Sequence, residues 1–370
     1  MRVLLTGAAG FLGWHTRCRL HALTEHDVVA VTRTTWDDLP TLAADADAII
    51  HVAGINRADP DEVRNGNAEL ARAVAAAARA AKQPPVIVHA DSIQAGNGTA
   101  YGEGKAAAGQ ILAETADALG SVFVDVRLPN LFGEHGRPHY NSFVASFVDW
   151  RIRNETPSIT DRPIDLLHAQ DAAQALIDGL AATGSGETAP QGHPTTVQQV
   201  WDRLSVFHEL YPDRGDIPAL ASDFEVALFN TYRAALFPTA YPIALTPRAD
   251  DRGRLVETVR SHGGQGQSFV STSRPGVVRG DHYHLTKIER FAVLAGRARI
   301  ALRRMFSDEV IEFDVSGDAP VAIDMPTLWT HNITNTGDTE VLTQFWTHVL
   351  FDPDNPDTFP VQVDSKECTQ

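Results

Sequence analysis

Gly7-Ala8-Ala9-Gly10-Phe11-Leu12-Gly13 follows a short apolar run and opens a helical one. Each glycine has a job in gripping a phosphate. Gly7 permits a tight turn, Gly10 lets backbone approach a pyrophosphate, and Gly13 lets a helix sit close to a strand. The unpaired N–H groups of the helix start then face the anion. A glycine pattern alone is weak, but a strand before it and a helix after it make this a dinucleotide site. The second strand ends at Arg33, where an NAD site prefers an acid for the ribose 2′-hydroxyl, and Asp37 comes too late. A guanidinium suits a 2′-phosphate, so NADPH is the expected cofactor. Tyr101 and Lys105 stand at i and i+4, on one side of a helix. An ammonium there would lower the phenol pKa, and Tyr101 would then pass a proton to or from a carbonyl oxygen. Ser92, after the fourth strand, can hydrogen-bond the same oxygen. A lone Tyr-x-x-x-Lys is usually a surface pair; the glycine loop and Ser92 in the expected order raise it above that.

A second set lies far along the chain. His282-Tyr283-His284 puts two imidazoles on one face of a strand, Glu289 follows across a turn, and His331 lies on a distant strand. Nitrogen-rich with one carboxylate, the set suits a borderline divalent metal such as zinc, nickel, iron or copper, with room left for water or substrate. The plain alternative is ordinary polar residues at a barrel mouth. Gly276, His282, His284, Glu289 and Gly296 match the first cupin motif at every spacing. Pro326, His331 and Asn335 fit the second, with Leu328 where glycine is usual.

These residues need elements to hold them. Arg2 to Thr6, Val28 to Thr32, Ala48 to Ala53, Val86 to Ala90 and Val122 to Arg127 read as strands. Helical runs from Gly13 to Leu23, about Asn65 to Lys82, and Gly102 to Leu119 alternate with them. Short apolar runs separated by helices predict a buried, doubly wound parallel sheet of Rossmann type. Leu210 to Pro247 carries prolines at 212, 218, 238, 242 and 247 and reads as a short helical tail plus a linker. From Arg254 the period becomes 2. In Arg297 to Arg303 the residues 298, 300 and 302 face a core and three arginines face outward. The expected fold is thus α/β over 1–246, followed by an all-β cupin barrel with the metal set over 247–370.

Composition limits the function. Of 370 residues, 43% are hydrophobic and 21% charged, which excludes disorder as a description of the whole chain. The net charge of −16 repels bulk nucleic acid and anionic membranes. Cys18 and Cys368 form no framework, as suits a reducing cytoplasm. The N-terminus lacks the pattern of a signal peptide, and no run approaches the ~20 apolar residues of a membrane span.

The glycine loop, Ser92, Tyr101 and Lys105 resemble the extended short-chain dehydrogenase/reductase superfamily. His51-Val52-Ala53-Gly54, Asn67, Arg127 to Gly133, and His168 with Asp171 agree with it. A reductase-type domain joined to a cupin resembles the CapF-type bifunctional enzymes of bacterial capsular polysaccharide synthesis. The strings Asp91 to Ala95, Pro138 to Ser142, Asp250 to Gly253, His282 to Lys287, Val315 to Asp318, Thr330 to Ile333 and Phe351 to Pro353 recur in order. Ala9, Leu285 and Leu328 replace a lysine, a histidine and a glycine common in the family.

The resemblance implies C3 epimerisation of a UDP-2-acetamido-2,6-dideoxy-4-ketohexose by the cupin, then NADPH-dependent reduction at C4. The product would be UDP-2-acetamido-2,6-dideoxy-β-L-talose, on the route to UDP-N-acetyl-L-fucosamine. It implies Ser92, Tyr101 and Lys105 as catalytic residues. Gly7, Gly10, Phe11, Leu12, Gly13, Arg33, Ala53, Gly54, Tyr101 and Lys105 would hold the cofactor, and Asn130, Arg137, Asn141 and His168 the substrate. His282, His284, Glu289 and His331 would hold zinc, with Lys287 a candidate donor to the enolate oxygen. The expected partners are the UDP-sugar and a second copy of the chain as a homodimer, with no nucleic acid and no membrane. Two other readings stay open: a 4-ketoreductase of another deoxysugar pathway, and a non-enzymatic NADPH or sugar sensor.

Overall fold

The computed structural model describes residues 1–364, so Cys368 lies outside the described residues. The chain forms two compact units: Met1–Ser146 with Asp161–Val197, and Phe147–Thr160 with the chain from Gln198 onward.

The first unit is built on a six-stranded parallel sheet. Its order is Asp27–Val31, Arg2–Thr6, Ala48–His51, Val86–Ser92, Phe123–Leu128, Gly186–Thr188. Alternate residues of each strand supply opposite faces. Val3, Leu5, Ile50, Val88 and Val126 pack with Leu20 of the helix Phe11–Leu23 and Leu176 of the helix Ala169–Asp178. Leu4, Ile49, Ile87 and Phe123 pack with Val74 of the helix Pro60–Ala80 and Leu112 of the helix Ala100–Leu119. This is the two-sided burial that near-continuous apolar strands predict. Both long helices begin on side-chain caps: Asp59 accepts from Asp61 N–H at 3.0 Å, and Thr99 from Gly102 N–H at 3.0 Å. The third strand ends at His51, sooner than expected. The chain turns there, and the N–H groups of Val52 and Ala53 donate to the Thr6 hydroxyl.

The second unit carries two five-stranded antiparallel sheets. One has the order Ile243–Ala244, Val321–Met325, Glu289–Ala295, Val341–Thr347, Gln267–Ser273. The other runs Val310–Ser316, Arg297–Arg304, Trp329–Asn335, Val278–Tyr283, Phe359–Pro360. Phe291 of the first meets His331 of the second, edge to face at 5.7 Å between centroids, so the sheets enclose a common interior.

Two expectations are corrected here. The proline-rich stretch holds a helix, Asp223–Leu236, whose Leu228, Phe229 and Tyr232 are buried. Pro218 and Pro238 bracket this helix instead of interrupting it, so their helix-breaking effect falls outside it. Arg233 and Asn230 on it donate to the carbonyls of Met325 and Thr286, which ties the segment to the β-sheets. The second correction concerns Arg303, which is 2% exposed and not on the solvent face. It donates to the carbonyls of Val363, Gln362 and Ser307. The alternation fails because the chain near residue 363 covers that end of the strand.

Candidate active site and metal centre

The glycine loop has the geometry that its spacing predicts. Gly7 has φ +69°, and a Cβ there would lie 2.7 Å from the backbone nitrogen of Ala53. A Cβ on Gly13 would lie 2.1 Å from the Gly7 carbonyl oxygen, so only glycine fits. The helix Phe11–Leu23 starts at Gly10 with no side-chain cap and no acid in its first turn. Its leading N–H groups thus stay available to an anion. Phe11 and Leu12 form the first turn. Ala53 and Gly54 line the facing loop, which Asn67 fixes by accepting from Ile55 N–H and donating to the Ile55 carbonyl. Arg33 is exposed just past the second strand and makes no ion pair among the described residues. The cradle fits a dinucleotide.

Ser92 ends the strand Val86–Ser92, and Tyr101 lies in the first turn of the helix Ala100–Leu119. The Ser92 hydroxyl is near enough to the Tyr101 phenol to act on its ionisation. Lys105 is buried one turn on, but its Nζ turns inward, donating to the Ala90 carbonyl at 2.5 Å and to His89 Nε2 at 3.0 Å. Burial, and then the Asp91 carboxylate, push the Tyr101 phenol above its ordinary range, while the Ser92 hydroxyl acts in the other direction.

The residues expected at the substrate end lie apart in type. Asn130 opens the strand Asn130–Phe132 and is half-buried. Asn141 is exposed in the loop that follows. Arg137 stacks on the Tyr140 ring at 5.1 Å. His168 is buried with its Nε2 3.0 Å from Glu134 Oε2, and Asp171 is exposed in the next helix turn. Arg57 was invisible to spacing. It reaches the same loop, lying over Tyr140 at 5.6 Å and donating to the His139 carbonyl.

The second unit gathers all four expected metal ligands. His284 Nε2 lies 3.1 Å from Glu289 Oε2, His331 Nε2 3.3 Å and His282 Nε2 4.0 Å. His282 and His284 reach one side because Tyr283 between them points the other way, into a contact with Phe359. A bulge between Gly280 and His282 sets the register that brings His282 opposite His331. His284 Nδ1 bonds the Asp357 carbonyl and His331 Nδ1 the Trp329 carbonyl, so the Nε2 lone pairs face inward. His331 Nε2 is buried with no hydrogen bond. Burial, then the neighbouring imidazoles, push His282 down to about 3. Burial works against the Glu289 carboxylate, yet the His284 and His331 rings, with Nε2 at 3.1 and 3.3 Å, hold it well below its usual range. Imidazole nitrogens gathered around an ionised carboxylate are a donor set that suits a divalent cation. Lys287 is turned away, donating to Thr358 Oγ1 at 3.0 Å and to the Pro356 carbonyl.

Known proteins resemble both parts of the chain. Residues 3–189 match the NAD dependent epimerase/dehydratase family, and residues 248–359 the polysaccharide biosynthesis C-terminal domain. The chain is 32% identical over 369 residues to a UDP-2-acetamido-2,6-beta-L-arabino-hexul-4-ose reductase of Pseudomonas aeruginosa, covering 98% of this chain and 99% of that protein. It is 28% identical over 122 residues to the spore coat polysaccharide biosynthesis protein SpsL of Bacillus subtilis, covering 30% of this chain and 81% of that one. The crystal structure of the capsular polysaccharide assembling protein CapF from Staphylococcus aureus matches with 32% identity and a TM-score of 0.60, covering 98% of this chain and 100% of that one. No helix among the described residues is long and apolar enough to cross a membrane. The chain belongs to the NAD dependent epimerase/dehydratase family, in a CapF-like form that joins the Rossmann-type domain to a polysaccharide biosynthesis C-terminal domain.

Proposed function

We propose that the chain is a cytoplasmic, homodimeric, bifunctional nucleotide-sugar enzyme. It epimerises C3 of a UDP-2-acetamido-2,6-dideoxy-4-ketohexose and reduces the C4 ketone with NADPH, giving UDP-2-acetamido-2,6-dideoxy-β-L-talose. The observation that carries the reductase reading is the placement of Ser92 at the end of its strand and Tyr101 in the first turn of the following helix, in the unit that holds the glycine cradle. A bound NADPH supplies the hydride for C4. Ser92 hydrogen-bonds the ketone oxygen, and Tyr101 donates its phenolic proton to that oxygen as charge develops on it. Lys105 contributes positive charge and a contact for the ribose. Arg33 favours the 2′-phosphate. Asn130, Arg137, Asn141 and His168 orient the nucleotide-sugar.

For the epimerase step, the C3 proton is acidified by the adjacent ketone. His282, His284, Glu289 and His331 would hold zinc, which supplies a Lewis acid for the developing enolate oxygen and needs no redox change. The convergence of three Nε2 atoms on Glu289 supports this reading.

The test uses purified full-length protein, NADPH and a panel of UDP- and dTDP-4-ketohexoses. UDP-specific oxidation of NADPH is expected. In D₂O without NADPH, deuterium should enter C3, and it should do so in Tyr101→Phe as well. Consumption of dTDP-sugars alone would move the chain to another deoxysugar pathway. Reduction without C3 exchange would leave the cupin as a binding module.

A further inference from the structure

A row of polar side chains crosses the interior of the parallel sheet. The register sets Thr6 beside His51, His51 beside His89, and His89 beside Asp125. They share the face of Leu4, Ile49, Ile87 and Phe123, residues two apart along a strand pointing the same way. Polar groups in such a layer are costly unless they are bonded. Here Thr6 Oγ1 meets His51 Nδ1 at 2.8 Å, the His51 and His89 rings stack at 5.6 Å, and His89 Nδ1 lies 2.9 Å from Asp125 Oδ1. Lys105 donates to the free nitrogen of His89, Nε2. Asp91, two residues past His89, brings a carboxylate oxygen within 4.8 Å of His89 and Asp125, while its buried Oδ1 has no hydrogen-bond partner.

Donor chemistry fixes the direction of this chain. An ammonium only donates, so His89 Nε2 accepts, and Nδ1 carries the proton that goes to Asp125. Three donor atoms this close would suit a cation, and the cation beside them is the Lys105 ammonium. Nothing in the reduction as described uses His89, Asp91 or Asp125. We propose that these three are positioning residues that keep the buried Lys105 ionised and thereby set the alkaline limit of the reduction, an inference that rests on the reductase reading.

The electrostatics agree in sign. Burial lowers Lys105 to about 8, against the upward pull of Asp91 and Asp125. Burial, and then Asp125, raise Asp91 to about 6. Above about 6, Asp91 is a carboxylate and supports the ammonium; above about 8 the ammonium is lost. The other groups facing this set are His51 on its own strand, Arg127 next to Asp125 on the strand Phe123–Leu128, and Tyr101 on the helix of Lys105. On the helix Pro60–Ala80, Arg64 is paired at the surface with Glu103 and Asp61.

The chain has four lysines, Lys82, Lys105, Lys287 and Lys366. Full-length protein labelled with carbon-13 at lysine Cε therefore gives a readable NMR titration, with Lys105 identified by its loss in Lys105→Arg. Lys105 should titrate near pH 8. In Asp91→Asn it should titrate about one unit lower, a tenfold change in its acid constant, and Asp125→Asn should move it the same way. Asp91→Glu should restore the wild-type value. The alkaline limb of kcat/KM should follow each shift, and circular dichroism should show each variant folded. A Lys105 signal unmoved in folded Asp91→Asn and Asp125→Asn overturns the proposal, as does a shifted signal with an unmoved limb. Shifted signals in a chain whose wild type reduces no ketosugar overturn the reductase reading, while upholding the hold on Lys105.

Discussion

Leu328 offers a sharp test of how the candidate metal centre is built. Its φ is +64°, in the left-handed region, at the position where glycine is usual in the motif. Its N–H donates to the His284 carbonyl at 2.8 Å, and its carbonyl accepts from Met305 N–H, so it joins the His284 segment to the strand of His331. The side chain is fully buried. Two effects oppose each other. The left-handed conformation costs an L-residue about 1–2 kcal/mol, and removing a buried leucine costs about 2–5 kcal/mol. Both Leu328→Ala and Leu328→Gly should therefore fall below wild type. Glycine loses one more methyl, about 0.8 kcal/mol, but is freed from the backbone cost. That leaves the glycine variant ahead of alanine by a few tenths to about 1 kcal/mol, or up to about 4 °C in Tm for a unit of this size. At an ordinary site the order is reversed, with glycine behind by about 0.5–1 kcal/mol. Scanning calorimetry of the full chain reads the order directly. An alanine variant melting at or above the glycine variant would refute the argument that backbone strain at 328 is what the motif glycine avoids.

Other outcomes follow from single contacts. Tyr101→Phe removes only the phenolic proton donor, so reduction should fall by at least ~10²-fold while NADPH binding persists; near-normal turnover contradicts the assignment. Arg33→Ala should narrow the preference for NADPH over NADH in binding titrations, and equal affinities in the wild type would remove its basis. Arg290 and Asp324 form a fully buried two-point pair at 2.6 and 2.9 Å, with Tyr211 also donating to Asp324. Arg290→Met strands that carboxylate and should cost about 3–5 kcal/mol in urea unfolding. Adding Asp324→Leu should recover at least half of the loss, and no recovery would show that the arginine acts only through its bonds to the Gly215 and Thr258 carbonyls.

Local spacing exposed what one element carries, and little else. The glycine loop, the Tyr101–Lys105 pair and the His282–His284 pair each lie within a single turn or strand, so their geometry follows from helix or strand period. His51, His89 and Asp125 come from three separate strands, and only the register of the parallel sheet aligns them. Each alone reads as a polar residue at a strand end. The helix Asp223–Leu236 was hidden because prolines at its flanks signal a break without saying on which side of the break the order lies. Arg303 was misplaced because burial by a distant segment is not a periodic property.

The two histidine sites also differ for a reason that only the partners of Nδ1 reveal. At His284 and His331, Nδ1 is held by a neutral backbone carbonyl, and Nε2 faces a shared carboxylate, Glu289. The donors then converge on one point with a negative charge in their midst, which calls for a divalent cation. At His89, Nδ1 is held by a carboxylate, Asp125, and Nε2 receives an ammonium. The negative charge sits behind the ring there, so it strengthens Nε2 as an acceptor for a single cationic donor. The same residue type is thus set among converging donors in one unit and against a lysine in the other. The deciding feature is the chemistry of the group that fixes its second nitrogen.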